Sequence, residues 1–296
     1  MAGVGTPRAA IRDWMPDQHR VFFGLLPFLP VATVDRQGAP VATILTGPPG
    51  FIASPDPNTL RIGTRLDPED PAARFYAPDA PIGMIGIDLA TRQRNRANGV
   101  LREVDSDGMT VSVSQSFGNC PQYIQTRFWT DGQTAAGGPV EHLDGLDPVA
   151  RDMIATADTF FVASSSGGGA GVMGGVDISH RGGRPGFVGV DGDTLVIPDF
   201  HGNHYFNTFG NLLLNPRAAL LFVDWASGTL LHVTGQADIL WEDSQAFPGA
   251  ERLWRLIVTG GWRRPGALPL RWSFGDFAPQ TLRTGKWAGI DAERFL

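Results

Sequence analysis

The stretch VDISHRGGRPGFVGVDGDTLVIPDFHGNHYFNTFGNLLLNPRAALLFVDW, Val176–Trp225, decides the fold. DTLVIPD and AALLFVD are apolar runs of strand length bounded by Gly, Pro, Asn and Asp. AALLFVD is almost continuously apolar, as expected of a strand covered on both faces. Between them, NHYFNTFGNLLLN sets Phe206, Phe209, Leu212 and Leu213 at helical spacing, and Asn215-Pro216 stops the pattern, which predicts a short amphipathic helix. SHRGG interrupts a segment that otherwise reads as a strand. The polar residues near the helix are amides and hydroxyls, with one arginine, Arg181, upstream.

Outward from this stretch, the first half of the chain repeats its landmarks. PGFI at Pro49 matches PGFV at Pro185, IDLAT at Asp88 matches VDWAS at Asp224, and Gly99 of RANGV matches Gly235 of VTGQA, each at an offset of 136 residues. Val31 of PVAT and Val162 of FVAS differ by 131, so the second copy holds five extra residues in its glycine-rich turn. Two copies are too few for a solenoid and read as two similar domains forming a pseudo-dimer.

Each copy is strand-rich. PVATV and FFVAS open the copies, PVATIL and GVDIS follow, then NTLRIGT and DTLVIPD, then PIGMIGID and AALLFVD. RQRNRANGVLREV and TLLHVTGQADILW alternate and read as a fifth and sixth strand with a glycine bulge or turn. Strands of this number and spacing with one crossing helix predict a small barrel in each copy. The expected division is a helical lead-in over 1–28, a first repeat over 29–130, a linker and helix over 131–157, a second repeat over 158–242, and an extension over 243–296. GGWRRPGALPLRWSFGDFAP is too rich in Gly and Pro to predict regular structure, and its Trp262, Trp272 and Phe274 require packing partners.

Composition narrows the classes. With 38 Gly and 23 Pro among 296 residues and only 18% charged, the chain suits short strands and many turns rather than a helical bundle. A net charge of −6 gives no footprint for nucleic acid or an anionic membrane, although a local basic patch remains free to bind a small phosphate. The apolar VFFGLLPFLPVATV is short and broken by prolines, no signal-peptide pattern precedes it, and no membrane association is expected. A single cysteine, Cys120, excludes an internal disulfide, and the default expectation is cytoplasmic. Cys120 reads as a small buried hydrophobe or as part of a pocket lining.

The chemistry of Val176–Trp225 suits an anion. A helix N-terminus offers unpaired N–H groups and partial positive charge. Asn203, Asn207 and Thr208 add neutral donors, Arg181 adds a fixed charge, and Gly182 and Gly183 let backbone approach a flat ring. The competing reading is structural: a salt-bridged Arg181, a helix-capping Asn203 and a glycine turn. In the first copy TRQRNR sets Arg92, Arg94 and Arg96 at period two, on one strand face. Either they contribute to a phosphate site between the copies, or they guard a solvated edge strand. His180, His201, His204 and Asp199 raise a metal reading, but His201 and His204 three apart are a weak signal alone and no metal is expected. His180 is the better candidate for contact with a cofactor or substrate, and the best candidate for a catalytic group.

TFFVASSS, DISHRGGRPGFV, LVIPDFHGNHYFNTFGNLLLNPRAALLFVD and LHVTGQADI together resemble the FMN-binding split barrel of the pyridoxamine 5′-phosphate oxidase-like superfamily. PVATVDRQGAPVATIL and IGMIGIDLATRQRNRANG carry the resemblance into the first copy, and SQSFGNCPQYIQ is similar to a segment of tandem members. The resemblance implies a mainly β fold of two tandem six-stranded split β-barrels with flavin in the groove between barrels, built within one chain or between two. It implies FMN held by Ser179, His180, Arg181, Gly182, Asp199, Phe200, Asn203, Asn207, Thr208 and Asn211, with Arg92 and Arg94 from the first copy. Pyridoxamine phosphate oxidases proper use an arginine on the second strand and an Arg-Lys pair opening the helix. Here those places read Ser179-His180-Arg181 and Asn207-Thr208, and the vitamer-binding C-terminus has no match, so that enzyme's activity is not transferred.

Three functions follow: an FMN-dependent oxidoreductase acting on a small molecule, a non-catalytic flavin- or haem-binding protein, or a deazaflavin-dependent reductase. No dinucleotide fingerprint occurs, so NAD(P)H would be a visiting substrate, and a reductase partner is the other electron source. A homodimer is the expected assembly. The first copy lacks the polar helix start, RLDPEDPAARFYAPDAP standing in its place, so one site per chain is expected.

Overall fold

The computed structural model of the protein describes residues 11–132, 137–167, 174–202, 205–241 and 247–287. Helix α1 (Asp17–Gly24) leads into a first antiparallel sheet of β1 (Phe28–Val34), β2 (Pro40–Thr46), β3 (Ile52–Asp56), β4 (Thr59–Ile62), β5 (Pro81–Asp88), β6 (Gln93–Asp105) and β7 (Gly108–Gly118). β8 (Arg127–Asp131), β9 (Glu141–Leu143) and α2 (Pro148–Thr156) connect the halves. The second sheet holds β10 (Thr159–Ser165), β11 (Val176–Gly182), β12 (Gly189–Asp191), β13 (Thr194–Phe200), β14 (Arg217–Asp224), β15 (Thr229–Leu240) and β16 (Ala250–Arg264). Helix α3 (Asn207–Leu214) crosses between β13 and β14, and β17 (Leu270–Phe274) pairs with β8.

The strand order of the first sheet is β2-β1-β5-β6-β7-β4-β3, and that of the second is β11-β10-β14-β15-β16-β13-β12, with β9 added on β16. Strand for strand these are the same order, so the fold is mainly β, with two tandem split barrels. Each path holds seven strands rather than six, because the short β3 and β12 add a hairpin partner to β4 and β13.

The 136-residue offset has a structural cause at its glycines. β6 and β15 are each one long strand, where two were expected, and each slips register at Asn98/Gly99 or Thr234/Gly235. A Cβ on Gly99 would stand 1.9 Å from the Ser112 carbonyl oxygen, and one on Gly235 2.1 Å from that of Ile257. The bulge therefore brings two backbones closer than any side chain allows. The final strands of the two barrels are β7 and β16. β16 carries the second barrel past the boundary expected at residue 242, and the Gly/Pro-rich C-terminal segment is half strand. Trp262 lies on β16 and stacks on His232, while Trp272 on β17 packs against Phe28 and Trp225. Phe274 packs against Phe277 and remains half exposed.

Two other local expectations change. β11 runs through SHRG without interruption, paired with β10 from Thr159↔Gly182 to Ser165↔Val176. On α3 only Phe209 and Leu212 of the expected stripe are buried, while Phe206 and Leu213 are exposed, because a helix of eight residues covers its sheet with a single row. At the matching place in the first half stands only a 3₁₀ turn, Ala73–Phe75.

Three apolar clusters hold the molecule. One fills the first barrel around Val31, Leu60, Met84 and Val111; another fills the second around Phe160, Ile197, Leu220 and Trp254. The third lies between barrels, where Phe28, Ala32, Ile44, Ile85 and Ile87 meet Phe161, Ala163, Ile178, Ala219 and Leu221. β5 and β11 touch here: a Cβ on Gly83 would stand 2.8 Å from the Val176 carbonyl oxygen. β5 and β14 are thus buried on both faces, which explains their continuous apolar sequences.

Candidate functional site

The cleft that gathers the polar residues lies at the seam and is built from both halves of one chain. β6 of the first half projects Arg94 and Arg96 into it; the second half supplies Ser179, His180 and Arg181 from β11, Asp199 and Phe200 from β13, and Asn207 and Thr208 from the start of α3. The segment after β7 closes one wall with Cys120 and Tyr123, the latter stacked on Phe200 at 5.1 Å between ring centroids. The cleft encloses about 110 Å³.

Each arginine has a different situation. Arg96 donates through Nη1 to both oxygens of Asp177, at 2.9 and 3.0 Å, and through Nη2 to Ser179 Oγ at 2.6 Å. Both partners of this cross-barrel ion pair are buried. Thr208 donates to the same Ser179 hydroxyl at 3.0 Å, tying α3 to the cluster. Arg181 and Arg252 clasp Asp199 from two sides, and Arg252 also lies 4.9 Å from the Phe206 ring centroid. Arg94 has no carboxylate partner among the described residues: Nε donates to the Cys120 carbonyl at 2.7 Å and Nη1 to His180 Nδ1 at 3.0 Å. Burial, reinforced by the charge of Arg96, pushes Arg94 down to about 9, which still leaves it cationic at neutral pH.

The Arg94 contact also fixes the histidine. A guanidinium only donates, so His180 Nδ1 accepts and, in the neutral ring, Nε2 carries the proton. Burial first, and then the charge of Arg94, hold His180 well below its ordinary pKa, so the ring is neutral. Its Nε2 is buried and finds no hydrogen-bond partner among the described residues. α3 begins without a side-chain cap, its N-cap Phe206 standing in a left-handed conformation at φ 54°. The seam therefore presents an unmet neutral donor, a helix start without a side-chain cap and a partly buried cation without a carboxylate partner in one place.

Not every expected residue joins them. Arg92 lies in the turn before β6, at φ 58°, where the alternation of side chains has not begun; it donates to the Ile124 and Asp276 carbonyls instead. Asn211 faces β10 and donates to Ser164 Oγ at 3.1 Å. Asp199 lines the cleft and is the counter-ion of two arginines. Gly182 lines the cleft, but the space its Cβ would need is taken by the Tyr123 carbonyl, 2.0 Å away, and that at Gly183 by the Phe187 ring. These glycines accommodate the protein's own packing. His201 pairs with Glu251 at the mouth, and Asn203 and His204 lie outside the described residues.

Sequence reasoning missed Arg252 and Asp177. Arg252 lay beyond the expected edge of the repeat; the apolar, β-branched-rich run through RLWRLIV was the available signal for another strand. Asp177 reads as strand interior, and only its position two before Ser179, on the same face, marks it.

The matching place in the first half is filled. There β15 supplies His232, whose ring stacks on Trp262 at 3.7 Å and accepts from the Ala42 N–H. Thr43, at the position of Ser179, donates to Asp70, which Arg264 also holds. Arg96 beside Phe117 and His232 beside Trp262 occupy equivalent rungs of the two sheets.

Comparison with known proteins gives a family match for the second half of the chain. Residues 146–262 match the family model described as "Pyridoxamine 5'-phosphate oxidase". The match covers α2 and nearly all of the second barrel, whose strand order the first barrel repeats. No curated protein matches it. Similar solved structures include a singly substituted, tagged HupZ of Group A Streptococcus, at 15% identity over 38% of this chain and 93% of that one, TM-score 0.29. A FAD-binding protein of Mesorhizobium loti has 13% identity over 42% and 97%, TM-score 0.28. The MrkH–c-di-GMP complex of K. pneumonia has 10% identity over 86% and 88%, TM-score 0.25. Among the described residues no helix is long and apolar enough to cross a membrane.

Proposed function

We propose that the protein is an FMN-binding flavoprotein that carries one flavin per chain at the seam and acts as an oxidoreductase on a small molecule. The observation that carries this reading is Arg94, a partly buried guanidinium with no carboxylate partner among the described residues, set in one cleft with the start of α3. Burying an uncompensated charge is costly, and an anion at this point supplies the missing partner. Arg94 and the first-turn N–H groups of α3 form the donor set for a phosphate. The enclosed volume of about 110 Å³ is well below the roughly 300–1,000 Å³ of small-molecule pockets, so it suits the phosphate end and leaves the ring system outside the enclosed part.

When bound, the flavin supplies hydride or electron transfer. The chain's own residues bind and orient: Nε2–H of neutral His180 is a donor for an acceptor atom of the cofactor or substrate, and it stays a donor because Arg94 holds Nδ1 as acceptor. Asp177 and Asp199 keep Arg96, Arg181 and Arg252 in place and limit the net positive charge of the cleft. The stack of His232 on Trp262 supports a single site per chain.

Absorbance of the freshly purified protein and titration with FMN test this reading. Flavin bands, or saturation at one FMN per chain, are expected; a colourless protein that takes up no FMN overturns it. Turnover with NAD(P)H and an electron acceptor then separates an enzyme from a carrier.

A further inference from the structure

A second cavity, of about 710 Å³, lies between α2, the end of β14 and the β8–β17 ribbon, and shares no lining residue with the cleft. Its size falls in the range of roughly 300–1,000 Å³ typical of small-ligand sites. Trp225 and Trp272, edge to face at 5.0 Å, and the half-exposed Phe274 form an aromatic wall, and Met153 of α2 lines it as well.

Arg127 is the polar element of this wall. It is buried, with its Cζ 4.9 Å from the Trp225 ring centroid and 5.6 Å from that of Phe274. Nη2 donates to both oxygens of Asp158, at 2.6 and 2.7 Å, so the charge is already met. Nη1 has no hydrogen-bond partner among the described residues. An unmet donor beside a neutralised charge calls for an acceptor atom, not an anion. Arg263 also lines the cavity, but Glu141 and Asp147 meet its charge, and the Asp152 and Asp224 carboxylates in the lining further disfavour a negatively charged ligand.

We infer that this cavity is a binding site for an uncharged aromatic molecule bearing a carbonyl oxygen, its ring system against the Trp225–Trp272 wall and its oxygen accepting from Arg127 Nη1. The inference is independent of the flavin reading. Nη1 is shielded from solvent, so a ligand contacts it only when a neighbour such as the half-exposed Phe274 turns aside.

The test uses the full chain and prodan, an uncharged naphthyl ketone whose emission shifts to the blue in apolar surroundings. Saturable binding at one per chain is expected, unaffected by FMN. Met153→Trp, a filling substitution at a partly buried position, should weaken it at least tenfold while the circular dichroism spectrum stays unchanged. Arg127→Lys should weaken prodan roughly tenfold, yet leave 2-dimethylaminonaphthalene, which lacks the carbonyl, within about twofold. No saturable binding, indifference to Met153→Trp, or displacement by FMN would overturn the site. Equal losses for both probes in Arg127→Lys would overturn the carbonyl anchor. Anionic 1-anilinonaphthalene-8-sulfonate binding more tightly than prodan, with the same sensitivity to Met153→Trp, would overturn the uncharged class.

Discussion

Arg94 and His180 form a donor pair whose properties depend on each other, and both leave signatures in stability as well as binding. Because Arg94 is partly buried without a carboxylate, Arg94→Gln should stabilise the ligand-free protein by up to about 1 kcal/mol while weakening FMN binding roughly tenfold or more. Urea unfolding and fluorescence titration of the same variant check the two opposite signs; a variant destabilised and still binding FMN as well as wild type would contradict them. The histidines give a pH dependence. His180 is held well below its ordinary value and His232 is lowered to about 3, both first by burial, so the folded state keeps them neutral while the unfolded chain takes up protons below about pH 6.5. Their contribution is fully present above that pH and is lost as pH falls, each by about 1.4 kcal/mol per unit. His232→Gln should flatten the loss between pH 7.5 and 5.0 measured by urea unfolding; parallel curves for variant and wild type would contradict the assignment. Ser179, His180 and Thr208 were readable as polar interruptions in an apolar pattern, and Arg94 as one of the period-two arginines of TRQRNR. Arg92 was misplaced because the period-two argument assumes a strand that begins one residue later.

At the scale of elements, the conspicuous features are the glycine bulges of β6 and β15. They bend two equivalent strands at equivalent rungs and let β6 carry Arg94 and Arg96 across to the other barrel. Gly99→Ala and Gly235→Ala each drive a methyl group into a backbone oxygen, so each should cost at least about 2–3 kcal/mol in thermal or urea unfolding, far beyond the effect of helix or strand propensity. A loss below about 0.5 kcal/mol would mean that the ladder accommodates a side chain there. The glycines were visible in the sequence through their common 136-residue offset, but whether each made a bulge or a turn was not, because both demand the same freedom of backbone. β16 was missed for a related reason: Gly260 and Gly261 look like breakers, whereas here a Cβ on Gly261 would collide with the His232 carbonyl, and the glycine permits the pairing.

For the whole molecule, the apolar cluster shared by the two barrels is as much a core as either interior. The halves should therefore unfold in one cooperative transition, and Ile178→Ala, at the shared cluster, should cost about 2–5 kcal/mol and lower both barrels together. Two separated transitions by calorimetry would show that the seam contributes little. The tandem architecture was legible from the internal offsets. That one chain completes the cleft by itself was not, since a groove between barrels forms equally well between two copies until the crossing of β5 over β11 is seen. The asymmetry of the halves concentrates the chemistry: one seam keeps guanidiniums, hydroxyls and a helix start, while its counterpart is packed with a histidine on a tryptophan. The central claim is that the preserved seam receives a phosphate. Calorimetric titration of the wild-type chain with FMN and with riboflavin tests it most directly. Binding of one FMN per chain, with riboflavin at least about a hundredfold weaker for want of the charge-assisted contacts, is the predicted result. Equal affinity for the two, or no heat from either, would contradict it.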